Sequence, residues 1–116
     1  MLTASFIRHK LIKNITDALY VNNVLNEIMK SEFHFYVAEN TTSIKSGAFR
    51  RAQDTLLEVT FLGTKITRLD GAFEDCFKLR KINLGILFRL KIIGCRCFKG
   101  CYNLKSIEIP YSVVYI

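Results

Sequence analysis

The sequence predicts an α/β repeat: a short solenoid with one short parallel strand per coil and a helical cap at its N-terminal end. Three observations carry that reading. A small residue and a phenylalanine recur at Ala48-Phe49, Ala72-Phe73 and Cys97-Phe98, and the phenylalanines are separated by 24 and 25 residues. Each pair is followed by a small residue, a leucine and two apolar residues one apart: Ala52, Leu56, Val59 and Phe61; Cys76, Leu79, Ile82 and Leu84; Cys101, Leu104, Ile107 and Ile109. Ahead of this array the apolar spacing changes from helical to alternating near Phe33. A period of this length describes units that bury apolar faces only by stacking on their neighbours.

The cap is assigned to residues 1–32 and the solenoid to residues 33–116, about three units and a truncated fourth. Within the first segment Phe6, Ile7, Leu11, Ile15 and Leu19 fall on one helical stripe, and Val24, Leu25, Ile28 and Met29 on a second. A break is expected at residues 20–23, where Asn22 and Asn23 suit the first turn of the second helix because their side chains accept from its orphan amides. Such a pair would close the open end of the stack. The alternative use of these helices is partner or membrane-surface binding.

From Phe33 the period is two, with Phe33, Phe35 and Val37 on one side and His34 and Tyr36 on the other. The next strands are expected at Glu58–Phe61, Arg80–Leu84 and Lys105–Ile109. Their separation is too long for hairpins and suits parallel stacking through crossovers. Ile44, Leu69 and Ile93 precede the three phenylalanines and are expected to plug the edge of each coil, with Gly47, Gly71, Gly94 and Gly100 at tight turns.

Half of the 116 residues are hydrophobic, enough for one shared core in a single domain. The formal net charge of +7 is concentrated C-terminally: residues 1–65 carry eight Lys/Arg against six Asp/Glu, and residues 66–116 nine against four. Met1 to Lys13 contains His and Lys where a secretory signal needs an uninterrupted apolar core, and no stretch reaches the roughly 18 apolar residues of a membrane span. The expected compartment is therefore cytoplasmic by default, and the sequons at Asn14 and Asn40 carry no weight there.

The residues around the three phenylalanines resemble the BspA-like leucine-rich repeats: Ile44-Lys-Ser-Gly-Ala-Phe49, Leu69-Asp-Gly-Ala-Phe73-Glu-Asp-Cys76, and Phe98-Lys-Gly-Cys101-Tyr-Asn-Leu104-Lys-Ser-Ile107-Glu-Ile109-Pro110. The last unit carries the pattern nearly residue for residue. The resemblance implies a leucine-rich-repeat solenoid and, as in many relatives on the surfaces of bacteria and parasitic protists, binding of host or matrix proteins. Three departures are visible. Ala52 stands where Cys is frequent and one extra residue precedes Leu56, the second unit is one residue short before Phe73, and the connection 85–92 is two residues long for its place.

Chemistry in the sense of catalysis finds little support. Cys76, Cys95, Cys97 and Cys101 could in principle form a tetrahedral zinc site or a disulfide, but Cys76 and Cys101 hold equivalent positions and Cys97 replaces Ala48 and Ala72. Their expected role is that of small reduced core fillers, with Cys95 alone exposed. The two histidines, His9 and His34, fall in the cap and on an outward strand position, so no nucleophile, base and orienting group converge in the pattern. Leu62-Gly63-Thr64-Lys65 has the composition of half a phosphate loop without its first glycine or its strand-loop-helix setting. No catalytic, metal or cofactor residue is assigned.

What is left is surface. Parallel strands place equivalent residues about 4.8 Å apart, so the outward positions should form a ladder of His34 and Tyr36, Glu58 and Thr60, Lys81 and Asn83, and Ser106 and Glu108. Mixed charge and ring side chains suit a protein or peptide partner better than a phosphate backbone. The predicted function is a non-enzymatic protein-interaction module, adhesive in the form that the resemblance implies. The alternative is a basic nucleic-acid- or anionic-surface-binding protein using Lys78, Arg80, Arg89, Lys91, Arg96 and Lys99, which lack interleaved aromatics for stacking. The apolar last coil is expected to be continued by further repeats or to self-associate.

Overall fold

The computed structural model describes residues 18–116, which form eight short strands and two 3-10 turns; there is no α-helix among the described residues. The expected helix over Val24, Leu25, Ile28 and Met29 is instead half of a β-hairpin, and the stripe from Phe6 to Ile15 lies outside the described residues. Strand β1 (Ala18–Val21) pairs antiparallel with β2 (Val24–Ile28) through Val21↔Val24 and Tyr20↔Leu25. Asn22 and Asn23, expected as helix caps, form the two-residue turn with φ of 50° and 64°. Asparagine tolerates this left-handed backbone, and two such residues in succession give the turn whose twist matches a hairpin. The helical spacing loses because β2 has a second partner: it pairs in parallel with β4 (Ser43–Ile44) through Leu25↔Ile44.

From β3 (His34–Val37) onward the chain repeats one path. A longer strand, a short strand and a tight turn bearing the phenylalanine follow each other, so each central coil contributes two strands rather than the expected one. The longer set is β3, β5 (Glu58–Phe61) and, cut to two residues, β7 (Lys81–Ile82), a parallel sheet in the order β3-β5-β7. The shorter set is β4, β6 (Arg68–Leu69) and β8 (Ile92–Ile93), where β6 and β8 pair in parallel and a single bridge joins Ile92 to Tyr115. The plugs Ile44, Leu69 and Ile93 are thus the buried residues of these short strands.

The core runs along the stack. Phe35, Phe49 and Phe73 are fully buried, and Phe98 packs partly buried against the same cluster. Their rings form a spine: Phe35 meets Phe49 edge-on at 5.2 Å between centroids, while Phe49–Phe73 and Phe73–Phe98 stack at 4.9 and 5.7 Å. Leu56 and Leu79 form a second buried row, Ala48, Ala72 and Cys97 a third, and Ala52 and Cys76 a fourth. A further register escapes the sequence reading: Thr41, Ile66 and Leu90 are buried where each connection enters its short strand. The long connection keeps contact with the core by a 3-10 turn at Leu84–Ile86, with Leu84, Leu87 and Leu90 all buried.

Polar side chains tie the coils where backbone ladders end. Thr55 Oγ1 donates to the Glu32 carbonyl (3.1 Å), Gln53 Nε2 to that of Glu74 (3.1 Å), Asn103 Nδ2 to that of Phe77 (2.8 Å) and Ser112 Oγ to that of Leu87 (3.4 Å). Gly63, from the phosphate-loop-like Leu62–Lys65, has a packing role: a side chain there would collide with the Glu39 carbonyl oxygen. Two expectations for strands are corrected. Phe33 is 69% exposed rather than inward, and Lys105–Ile109 forms no strand, with Ile107 partly buried and Ile109 37% exposed.

Candidate functional site

The β3-β5-β7 sheet puts four of the eight predicted ladder residues into one polar group. Parallel pairing aligns His34 with Glu58 and Glu58 with Lys81 in one row, and Tyr36 with Thr60 in the next. The side chains also meet. The imidazole stacks on the Tyr36 ring at 4.3 Å between centroids and 16° between planes. His34 Nδ1 lies 3.8 Å from Glu58 Oε2, and His34 Nε2 lies 2.8 Å from Thr60 Oγ1. A carboxylate can only accept, so Glu58 favours a proton on the Nδ1 side, and the Nε2–Thr60 pair runs in either direction according to the imidazole's protonation.

Carboxylate, imidazole and hydroxyl in this order have the sequence of a relay, but the setting is a solvated face. The His34 and Glu58 side chains are 34% and 29% exposed, and the Nδ1–Glu58 distance is that of a loose ion pair. The amide next to the hydroxyl, that of Phe61, is already engaged by Asn83 Oδ1, whereas an oxyanion site requires free donors aimed at one point. The arrangement can fix a histidine ring in one orientation and present an acid, a base and a hydroxyl for recognition.

The other predicted ladder residues fare differently. Tyr36 was expected on the open face, yet it is only 3% exposed, and its phenol is pushed above the ordinary value first by burial and then by the Glu58 charge. It is a floor under His34 more than a contact surface. Asn83 was expected to point outward and is instead a structural splice: its Oδ1 accepts from the Phe61 amide (2.7 Å) and its Nδ2 donates to the Phe61 carbonyl (3.0 Å). The side-chain amide replaces a ladder pair, and β7 ends after two residues as the 3-10 turn begins. Ser106 and Glu108 are exposed on a segment outside the sheet, and Glu108 lies against Gly85, whose hydrogen leaves room for the carboxylate.

The cysteines behave as fillers. Cys76 and Cys97 are buried, Cys101 is half-buried and donates its thiol proton to the Phe73 carbonyl, Cys95 is exposed, and all four are free thiols. Burial pushes the Cys76 thiol up to about 12 and that of Cys101 up to about 11, and it raises Cys97 in the same direction. Thiols held this far above neutral are poor nucleophiles and poor metal ligands. No three His, Cys, Asp or Glu side chains are grouped to hold a metal among the described residues.

The basic residues Lys78, Arg80, Arg89, Lys91, Arg96 and Lys99 are all exposed. They do not form a uniform cationic face: Arg96 lies 3.8 Å from Glu74, and Arg89 sits over the Phe88 ring at 5.5 Å. No helix among the described residues is long and apolar enough to cross a membrane.

Stacked coils with short parallel strands, an aromatic spine and an outward polar row define a leucine-rich-repeat protein, a class that generally mediates contacts between proteins. The chain belongs to the family described as BspA type leucine rich repeat region (6 copies), which matches residues 13–116, and BspA-type repeats often occur in surface proteins. No curated protein and no solved structure matches it.

Proposed function

We propose that the chain is a non-enzymatic interaction module that binds a protein or peptide through the outward face of the β3-β5-β7 sheet. The observation that carries this reading is the parallel alignment of His34, Glu58 and Lys81 with Thr60 beside them, a preorganised row of mixed charge on rigid strands. Side chains held by strand register and by stacking lose little freedom on binding, which favours affinity from few contacts. The partner in view is an extended segment presenting alternating basic and acidic groups, since the row itself alternates imidazole, carboxylate and ammonium. An adhesive role on a cell surface is one form of the same activity.

Peptide selection from a random library against the folded chain tests the proposal. Glu58→Lys and Lys81→Glu should each abolish capture of the selected peptides while the circular dichroism spectrum is kept, and binding should persist in elevated salt. Capture that is unaffected by both reversals, or that vanishes with salt alone in the manner of counterion release, refutes it and favours the basic-surface reading.

A further inference from the structure

A concave site lies outside that sheet, between the β1–β2 hairpin and the turn that follows β4. It is a cavity of about 510 Å³, and three of its lining residues are cationic: Lys45, Arg50 and Arg51. None of the three takes part in the ion pairs His34–Glu58, Arg68–Asp70 and Arg96–Glu74. Among the described residues Glu27 is the sole carboxylate on the lining, so these residues give the site a surplus of two positive charges. The backbone makes the space. Gly47 has φ of +77°, and a side chain there would approach Arg50 Nη2 to 3.3 Å, so the glycine lets the guanidinium fold back over the turn. Ser46 adds a hydroxyl to the lining, Asn26 lines it with its Nδ2 donating to the Val24 carbonyl, and buried Ile28 and Ala48 contribute apolar side chains that cannot compete as hydrogen-bond partners.

We infer that this cavity binds a phosphate monoester carried on a side chain of a protein partner. The charge of the site decides the class: a carboxylate would leave one cation uncompensated, whereas a phosphoryl group carries about −1.5 to −2 at neutral pH and offers three acceptor oxygens. Two consecutive arginines supply planar forks that match such oxygens in pairs, and Lys45 adds a point charge from the start of the same turn. The site is built from β1, β2 and the turn that follows β4 and not from β3-β5-β7, so it stands independently of the proposed peptide face.

The test is titration of the whole chain, followed by amide NMR shifts, with a phosphoserine peptide, its unphosphorylated twin, the same peptide with glutamate in place of phosphoserine, and inorganic phosphate. The phosphopeptide is expected to shift the amides of residues 45–51 and to bind at least about tenfold more tightly than the glutamate peptide, the difference expected of a doubly paired dianion. Affinity should rise with pH across the second phosphate ionisation near pH 6. Arg50→Gln combined with Arg51→Gln should remove this binding, whereas Lys78→Gln combined with Arg80→Gln, an equal loss of charge elsewhere, should leave it. Equal weakening by the two double variants assigns the effect to net charge and overturns the inference. Equal affinity for the glutamate peptide, or for free phosphate, overturns the assigned ligand.

Discussion

Phe73 and Phe98 hold the same place in successive coils, and the coil of Phe98 carries the more regular sequence. The structure treats them in opposite ways. Phe73 is fully buried between Phe49 and Phe98, with Leu79 and Cys76 beside it at zero exposure, while Phe98, Leu104 and Ile107 are only partly covered. Strand pairing follows the same line: Lys81–Ile82, which follows Phe73, pairs with β5, and Lys105–Ile109, which follows Phe98, forms no strand. The irregular middle coils are the well-made ones because each receives a neighbour on both faces. In a linear stack the free energy of a unit resides largely in its interfaces, and the quality of its own motif does not substitute for them.

The comparison can be broken most directly at the spine. Phe73→Ala should cost roughly 3–5 kcal/mol, since a fully buried ring leaves a cavity between two stacked neighbours, and Phe98→Ala should cost less than half as much. Urea denaturation of both variants measures the gap, and equal losses would mean that the coils share cover evenly. A smaller effect is expected at the splice. Asn83→Ala leaves the Phe61 amide and carbonyl without partners and should cost about 1–3 kcal/mol, with Asn83→Asp recovering at most the bond to the amide. Gly63→Ala forces a methyl against the Glu39 carbonyl and should lower the thermal midpoint by a similar amount, about 1–3 kcal/mol in free energy.

The smallest effect at neutral pH belongs to Cys76→Ala, because Ala52 already fills the equivalent position of the preceding coil. Its signature is in alkali. The folded thiol ionises near 12 and the unfolded one near 9.0, so between those values the unfolded chain has lost a proton that the native state retains. The contribution to stability is therefore complete below pH 9 and declines as pH rises towards 12. The variant should flatten that decline in denaturation midpoints taken across the range. In the native protein Cys95 should react first with a thiol reagent, and Cys76 and Cys97 only on unfolding.

Apolar recurrence determined much of this molecule from the sequence alone. The phenylalanine spine, the small residues at 48, 52, 72, 76 and 97, the leucine row and the strand Glu58–Phe61 all follow from residues that only a shared core could repeat. The alignment of His34, Glu58, Thr60 and Lys81 was legible for the same reason, because strand alternation and a fixed period set both face and register. Tertiary structure decided the rest where two local readings were available. Val24 to Met29 has helical spacing and strand-compatible residues at once, and the parallel partner Ser43–Ile44, far along the chain, selects the strand. Asn83 has the composition of an outward ladder residue, and the amide and carbonyl of Phe61 in the preceding coil, which it pairs, turn it inward. The basic cavity joins a hairpin to a turn nearly two dozen residues later, a proximity that no periodicity encodes. Period reports what every coil has in common, and only contact between coils fixes what each does differently.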